Sequence, residues 1–375
     1  MNIVYVIRED YLTQLGGDSI QMLKTKEYIE KSDPDAHIEV CGYQDIERKA
    51  EEADLVHIFN VQTIEFSYSA YELCKKKGCK VILSPIFWDL RDSMLTSGYF
   101  NFFHQKPHSW MKVGRFLQWK LLMAVPVFRN RVGIMGKDWE KARTMLEGAD
   151  GVLPNSEEEL EQLCKIYKMN YNDMRAKSYV IPNAVEKGNH QQGKSAEAEK
   201  LPSGYVLQVG RIGTVKNQIK VLQALKYKKN IPIVFIGKVE NEQYYNVCRK
   251  LARKRGNVFF IESVPHDQMD AYYSNAACHV NPAFRESPGL SSMEALYNGI
   301  PAVVAEERYC PCRFYQFNRV AYLCDPYSTA SVRKAICKAM EDPDKHKAGK
   351  AYFDHYSYQN VAEMTLKAYR DVLHI

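Results

Sequence analysis

The feature that most constrains this chain is an alternation of short apolar runs with stretches of helical periodicity, which occurs twice along its 375 residues. Near-continuous apolar strands that alternate with helices are typical of a parallel sheet covered on both faces. Residues 187–202 interrupt this pattern with a polar stretch that lacks apolar periodicity. Because a chain of this length exceeds what one hydrophobic core usually serves, the sequence predicts two α/β domains joined by a linker.

The predicted domain boundaries follow the alternation. Residues 1–186 form an N-terminal Rossmann-like domain, residues 187–202 the linker, residues 203–355 a C-terminal domain, and residues 356–375 a helix that packs back on the N-terminal domain. Strands are predicted at Ile3–Ile7, His37–Cys41, Leu55–Phe59, Val81–Leu83, Gly151–Leu153, Tyr179–Ile181, Tyr205–Val209, Ile233–Ile236, Val258–Ile261, Cys278–Asn281 and Ala302–Ala305. Ligands bind at the carboxyl ends of such strands, which we expect to face a central cleft.

Residues 281–301 contain the strongest candidate for an anion-binding site. Ser287 is a preferred N-cap residue, and Pro288 suits the first position of a helix. We therefore expect the amides of Gly289 and Leu290 to be among the unpaired N–H groups of a helix N-terminus, which attract anions.

Two carboxylates lie on either side of this predicted helix start. Glu286 is in the preceding loop, and Glu294, four residues after Leu290, lies on the flank of the apolar face. Such a pair by itself favours an ordinary capped helix that bears a surface glutamate. The glycine, the loop and the flanking strands together favour a ligand site.

The loop at residues 208–217 is the second candidate. Gly210 and Gly213 suit a tight turn after a strand, and Arg211 and Lys216 place two cations near the carboxyl end of that strand. Together with the predicted helix start, these cations can hold a diphosphate without a metal ion. The alternative is a basic surface loop on a chain whose net charge is +6.

The third candidate is the pair Gly16-Gly17, which follows the first predicted strand and opens a helix. The pair is not a complete dinucleotide-binding fingerprint, and such pairs are usually only turns. Its place at the carboxyl end of a strand favours a ligand-binding role.

The three segments together resemble the GT-B glycosyltransferases of family 4, which are retaining enzymes that use nucleotide sugars. The resemblance covers most of the chain. It rests on the early Gly-Gly loop, on residues 149–156 (ADGVLPNS) and 180–185 (VIPNAV), on Gly210-Arg211 with Lys216, on residues 235–237 (FIG), and on residues 286–294 with their terminal glutamates.

The resemblance implies a GT-B architecture in which the N-terminal domain serves the acceptor and the C-terminal domain binds the nucleotide sugar. Arg211 and Lys216 would bind the diphosphate, Glu286 the donor sugar, and Glu294 the ribose hydroxyls. The predicted catalytic residues are Glu286, Arg211 and Lys216. The remaining predicted donor-binding residues are Gly16, Gly17, Gly210, Gly237, Val264, Gly289 and Leu290, with the base near Gly237 and residues 264–266.

One departure from the family pattern concerns the acceptor side. Many members carry a histidine just after the fourth strand of the first domain, whereas residues 81–89 (VILSPIFWD) contain none. Trp88 and Asp89 are the candidates for the acceptor site instead.

The resemblance implies a retaining hexosyltransferase that moves a sugar, most simply from a UDP-linked donor, to a hydroxyl of a glycan or a lipid-linked saccharide. Two Asp-Pro-Asp sequences, at residues 33–35 and 342–344, match the D-x-D of metal-dependent glycosyltransferases but fall in predicted turns. We therefore expect no metal and no cofactor, and no nucleic-acid partner. A nucleotide-sugar-binding subunit or scaffold that has lost catalysis is the alternative.

A helix over residues 110–124 is predicted to present a second, non-core face. Lys112, Arg115, Phe116 and Trp119 share that face, and aromatic residues mixed with basic ones suit an anionic membrane surface. A helix buried on both sides is the alternative. Ten cysteines without framework spacing, and no evident leader or membrane span, indicate a cytoplasmic protein, with a peripheral position on the inner membrane face as a further option.

Overall fold

The structure is a computed structural model that describes residues 1–13, 16–42, 45–103, 111, 124, 137–186 and 195–375. Within these residues the chain forms two compact units. Unit 1 comprises Met1–Trp88, Leu122–Ala184 and Asp354–Ile375, and unit 2 comprises Asp89–Leu121 and Val185–Phe353.

Unit 1 is built on a five-stranded parallel sheet of order β2-β1-β3-β4-β5. Its strands are β1 (Asn2–Val6), β2 (His37–Cys41), β3 (Leu55–Phe59), β4 (Lys80–Ser84) and β5 (Gly151–Val152). Its helices are Gly17–Ser32, Ile46–Lys49, Ile64–Lys76, Lys137–Gly148, Glu157–Tyr167, Tyr171–Ala176 and Tyr358–Leu373. The central strand β3 is buried along its whole length, as expected for a parallel sheet covered on both faces.

The helix Tyr358–Leu373 completes one face of this sheet. Leu366 and Tyr369 lie in the same core cluster as residues of β1 and β3. The Tyr369 hydroxyl is 2.7 Å from His57 Nδ1, and Ser84 Oγ is 2.8 Å from His57 Nε2. Burial lowers the pKa of His57 to about 3, so this imidazole is neutral at physiological pH.

Unit 2 is built on a six-stranded parallel sheet of order β11-β10-β9-β6-β7-β8. Its strands are β6 (Tyr205–Val209), β7 (Ile233–Ile236), β8 (Val258–Ile261), β9 (Ala276–Asn281), β10 (Ala302–Ala305) and β11 (Tyr322–Cys324). Its helices are Arg91–Phe103, Gln218–Ala224, Glu242–Arg255, Met269–Ser274, Leu290–Tyr297, Phe317–Val320 and Thr329–Glu341, with 3-10 turns at Ala198–Lys200 and His266–Gln268. The helix Lys350–His355 crosses the boundary between the units.

The two predicted parallel sheets are confirmed, and two details of the predicted strands are wrong. Tyr179–Ile181 is not a strand: Ile181 N–H donates to the Pro154 carbonyl, but proline has no N–H to continue the ladder, and only an isolated bridge at Ser178 remains. The short strand β11 was not predicted because its three residues are too few to produce a recognisable apolar run.

The helix Arg91–Phe103 belongs to unit 2, although its place in the chain puts it within the predicted N-terminal domain of residues 1–186. Phe100 is 1% exposed and lies in the core cluster of unit 2, where its ring centroid is 5.1 Å from that of Tyr244. Because Phe100 is buried among side chains of unit 2, the helix packs with that unit. A domain boundary drawn at one position of the sequence cannot anticipate this packing.

Candidate functional site

Two glycines bring the loops after β6 and β7 into backbone contact in unit 2. Gly210 has a φ of +143° and Gly237 a φ of +147°, a region that side-chain-bearing residues rarely adopt. A Cβ atom on Gly237 would lie 2.3 Å from the Gly210 carbonyl oxygen, so no side chain fits there. Both the backbone conformation and the close packing therefore require glycine at position 237.

The two cations of the loop have different surroundings. The Arg211 side chain is 68% exposed, and its Nη1 lies 3.0 Å from Glu240 Oε1. The Lys216 side chain is 22% exposed, and its Nζ donates to Glu286 Oε1. Lys216 is thus held at a defined place among the candidate residues, whereas Arg211 lies at the surface.

Glu286 is the centre of the site. It lies in the loop after β9, is buried, and receives hydrogen bonds from Lys216 and from Asn281 Nδ2, the latter at 3.0 Å. Gly289 has a φ of +96°, and a Cβ atom there would lie 3.1 Å from Asn281 Nδ2 and 3.3 Å from Glu286 Cδ. The glycine therefore allows the start of the next helix to approach the carboxylate.

The predicted start of that helix is wrong by two residues. The helix is Leu290–Tyr297, its N-cap is Gly289, and Ser287 and Pro288 precede it in the loop, joined by a cis peptide bond. Gly289 takes the N-cap place because it alone can adopt the left-handed conformation found there. A glycine N-cap offers no side-chain oxygen, so the first-turn amides keep their capacity to bind an anion.

Glu294 lies on the flank of this helix. Its Oε2 accepts a hydrogen bond from the Tyr273 hydroxyl at 2.8 Å, and its Oε1 is 3.7 Å from His266 Nε2. Burial and the neighbouring carboxylate raise the pKa of Tyr273 well above its usual value, so the phenol remains a donor. Val264 precedes His266 and packs partly buried against the neighbouring core cluster.

Several residues of the site were not predicted. Asn281 and His279 are polar side chains buried at the end of β9, and Arg285 directly precedes Glu286. Burial lowers the pKa of Arg285. Burial, with a smaller contribution from Lys216, lowers the pKa of His279 to about 3. The available sequence signal was two polar residues inside an otherwise apolar strand.

Gly16, Gly17 and Trp88, which were also predicted as site residues, belong to unit 1, and Asp89 belongs to unit 2. Gly16 is the N-cap of the helix Gly17–Ser32 in unit 1, where a Cβ atom on Gly16 would lie 2.6 Å from Asp18 Oδ1. Trp88, also in unit 1, is 1% exposed. Asp89 accepts hydrogen bonds from the adjacent Arg91, whose Nε lies 2.8 Å from Oδ2.

The predicted membrane face, Lys112, Arg115, Phe116 and Trp119, lies outside the described residues. In the part of the chain that the structure describes, no helix has the length and apolar character needed to cross a bilayer.

The site geometry can be compared with known proteins. Residues 190–353 match the family model of glycosyl transferases group 1. The matched residues include the loop of Arg211 and Lys216 and the segment from Glu286 to Glu294. O-antigen chain mannosyltransferase B of Escherichia coli is 24% identical over 178 residues, which are 44% of this chain and 46% of that protein. The match thus spans less than half of this curated relative.

Solved structures resemble the whole chain. Sucrose-phosphate synthase from Thermosynechococcus elongatus has a TM-score of 0.70 at 15% identity, with 100% of this chain and 99% of that chain covered. Anabaena HepE in complex with UDP and glucose has a TM-score of 0.70 at 11% identity, with coverage of 99% and 100%. The lipopolysaccharide outer core galactosyltransferase WaaB has a TM-score of 0.63 at 13% identity, with coverage of 98% and 99%. These likenesses confirm the predicted GT-B fold class.

Proposed function

We propose that this chain is a retaining glycosyltransferase of the family 4 type, which moves a hexosyl group from a UDP-linked donor to a hydroxyl of a glycan or a lipid-linked saccharide. The observation that carries the proposal is the contact of Lys216 and Asn281 with Glu286 beside Gly289. The match to glycosyl transferases group 1 and the likeness to a structure that contains UDP and glucose support it.

The barrier to sugar transfer lies in charge that develops as the glycosidic bond breaks. Negative charge grows on the departing diphosphate, and positive charge grows on the sugar ring. Lys216, Arg211 and the uncapped amides after Gly289 are preorganised to stabilise the diphosphate. The ammonium of Lys216 has three donors, so it can keep its contact with Glu286 while it binds a phosphate oxygen.

The two glutamates have separate roles in this proposal. Glu286, oriented by Asn281, binds sugar hydroxyls and eases positive charge on the ring. Glu294 accepts the Tyr273 hydroxyl through Oε2, and the proposal assigns Oε1, which lies 3.7 Å from His266 Nε2, to the ribose hydroxyls. The uracil would lie near Gly237 and Val264, and Gly16 and Gly17 stay donor-binding candidates from the sequence.

The proposal assigns no covalent nucleophile. The acceptor hydroxyl attacks the anomeric carbon from the face that the diphosphate leaves, and the hydroxyl proton passes to the departing phosphate oxygen. The new glycosidic bond then keeps the donor configuration. Because Arg211 and Lys216 supply the positive charge, we expect turnover to persist when a chelator is present.

The acceptor side of the proposal rests on the sequence. Asp89 and Trp88 remain the acceptor candidates from sequence. A lipid-linked acceptor would suit a membrane-facing segment, and the matched test is the double change Phe116→Ser, Trp119→Ser. It should abolish co-sedimentation with anionic vesicles at low salt and leave circular dichroism unchanged. Equal vesicle binding by both proteins would contradict the membrane proposal.

The alternative of a catalytically impaired sugar-nucleotide-binding subunit is not favoured, because Arg211, Lys216, Glu286 and Glu294 are all present. Release of nucleoside diphosphate from UDP-glucose, UDP-galactose, UDP-N-acetylglucosamine and GDP-mannose, with water as the substitute acceptor, tests the proposal. The wild type should release UDP, Glu286→Gln should be at least tenfold slower, and Lys254→Ala, an exposed lysine of the same unit, should be unchanged. Binding of a donor without any turnover would favour the alternative.

A further inference from the structure

The helix Arg91–Phe103 contacts the loop that bears Arg211 and Lys216, and it also contacts residues that follow β10 and β11. Ser97 Oγ lies 2.5 Å from Thr214 Oγ1, and Thr214 belongs to the loop that bears Arg211 and Lys216. At the start of the same helix, Asp92 is 4% exposed. Its side chain faces residues that follow β10, which are more than 200 positions away along the chain.

Asp92 holds two side chains from distant parts of the chain, Arg308 after β10 and Tyr327 after β11. Its Oδ2 accepts a hydrogen bond from Arg308 Nε at 2.8 Å, and its Oδ1 accepts one from the Tyr327 hydroxyl at 3.1 Å. A carboxylate removed from water in this way is tolerated only when charged and hydrogen-bonding partners surround it. The contact is therefore specific in geometry, unlike a pair of charges on the surface.

The segment that contains Arg308 is bonded in turn to the loop of Glu286. The Tyr309 carbonyl accepts the Glu286 backbone N–H at 2.8 Å, and the Cys310 thiol donates to the Pro288 carbonyl at 3.1 Å. Tyr309 and Cys310, which follow Arg308 in the chain, thus fix the backbone of Glu286 and of Pro288. The position of Glu286 depends on where this segment lies.

A second contact leads to the same loop. The Tyr327 ring packs edge-on against Phe284, with ring centroids 4.8 Å apart, and Phe284 lies two residues before Glu286. Both side chains that bond Asp92 are therefore one contact away from the loop that carries the glutamate.

We propose that Asp92 is a positioning residue for sugar transfer: through Arg308 and Tyr327 it fixes the loop that aims Glu286 at the donor sugar. This rests on the proposed function, in which Glu286 contacts that sugar. The hydrogen bonds of Asp92 to Arg308 and Tyr327 lead to the loop of Glu286, so its loss should affect the chemical step and leave nucleotide binding nearly unchanged.

The test compares Asp92→Asn with Glu307→Gln. The asparagine keeps the shape and one acceptor oxygen but loses the charge that holds Arg308. The control removes an exposed ion pair of the same segment, in which Arg313 Nε lies 2.6 Å from Glu307 Oε1. Binding is measured by calorimetry with UDP, and turnover as UDP release, with water as the substitute acceptor, from a mixture of UDP-glucose, UDP-galactose and UDP-N-acetylglucosamine.

We expect Asp92→Asn to bind UDP within about twofold of the wild type and to release UDP from the donors at least tenfold more slowly. Glu307→Gln should match the wild type in both measurements. Asp92→Glu should recover part of the lost turnover. Arg308→Lys, which keeps the charge and loses the Nε contact, gives the same split if Asp92→Asn does not fold. Turnover by both variants equal to the wild type, or parallel losses of turnover and UDP affinity, would overturn the inference. No UDP release by the wild type would overturn the proposed function and this inference with it.

Discussion

Lys216 and Arg211 both carry positive charge in the same loop, yet the structure predicts that their replacement by alanine has unequal consequences. The Lys216 ammonium lies at a buried carboxylate, and its side chain is 22% exposed. The Arg211 side chain is 68% exposed and pairs with Glu240 at the surface. A donor in contact with Lys216 therefore forms its hydrogen bond in a partly dehydrated place, whereas water competes for Arg211.

The expected magnitudes follow from this difference. A hydrogen bond to a charged group contributes roughly 1.5–3 kcal/mol, so Lys216→Ala should weaken UDP binding by about 10- to 150-fold. An exposed pair contributes roughly 0–1 kcal/mol, so Arg211→Ala should weaken UDP binding by about fivefold at most. Neither change should alter uridine binding, because the nucleoside lacks the diphosphate.

Isothermal titration of both variants with UDP and with uridine measures these effects directly. Lys226→Ala, at an exposed position in the same unit, controls for a general loss of positive charge. Equal losses for UDP and uridine would place both side chains away from the diphosphate. A larger loss for Arg211→Ala than for Lys216→Ala would refute the argument from burial.

Three further predictions concern neighbouring groups. Glu240→Gln should tighten UDP binding by up to about fivefold, because it releases Arg211 from a competing anion, and unchanged titrations would contradict this. Glu294→Gln should raise the donor KM more than it lowers kcat; steady-state kinetics in which kcat alone falls would remove Glu294 from ribose recognition. Burial lowers the pKa of His279 to about 3, below its unfolded value of about 6.5, so the folded protein keeps this imidazole neutral. The contribution of His279 to the free energy of unfolding is therefore present above pH 6.5 and falls by about 2 kcal/mol as the pH drops from 6.5 to 5. Burial raises the pKa of Glu159 to about 8, which changes the stability with pH in the opposite direction. Urea unfolding of the wild type is therefore compared with that of His279→Gln, whose free energy of unfolding should fall by about 2 kcal/mol less between pH 6.5 and 5. Equal losses in the two proteins would contradict the prediction.

The sequence predicted much of the fold because parallel strands buried on both faces are almost wholly apolar. The apolar run Tyr179–Ile181 looks like a strand in the sequence. It does not form one because it pairs with the segment that contains Pro154, which has no N–H to donate to the neighbouring chain. The residues around Glu286 were suggested by loop and helix signals, but the start of the helix depended on the φ of Gly289. The contribution of Asp92 had no local signal, since its partners lie far away along the chain.

The central claim is that unit 2 binds a nucleoside diphosphate at Lys216 and the start of the helix Leu290–Tyr297. Chemical unfolding with UDP, GDP or ADP present tests this claim most directly. A ligand that binds only the folded protein adds about 2.7 kcal/mol to the free energy of unfolding at 100 times its Kd. We predict that UDP stabilises the wild type by this amount and stabilises Lys216→Ala far less at the same concentration. Absence of stabilisation by all three nucleotides, or equal stabilisation of the wild type and Lys216→Ala, would contradict the account.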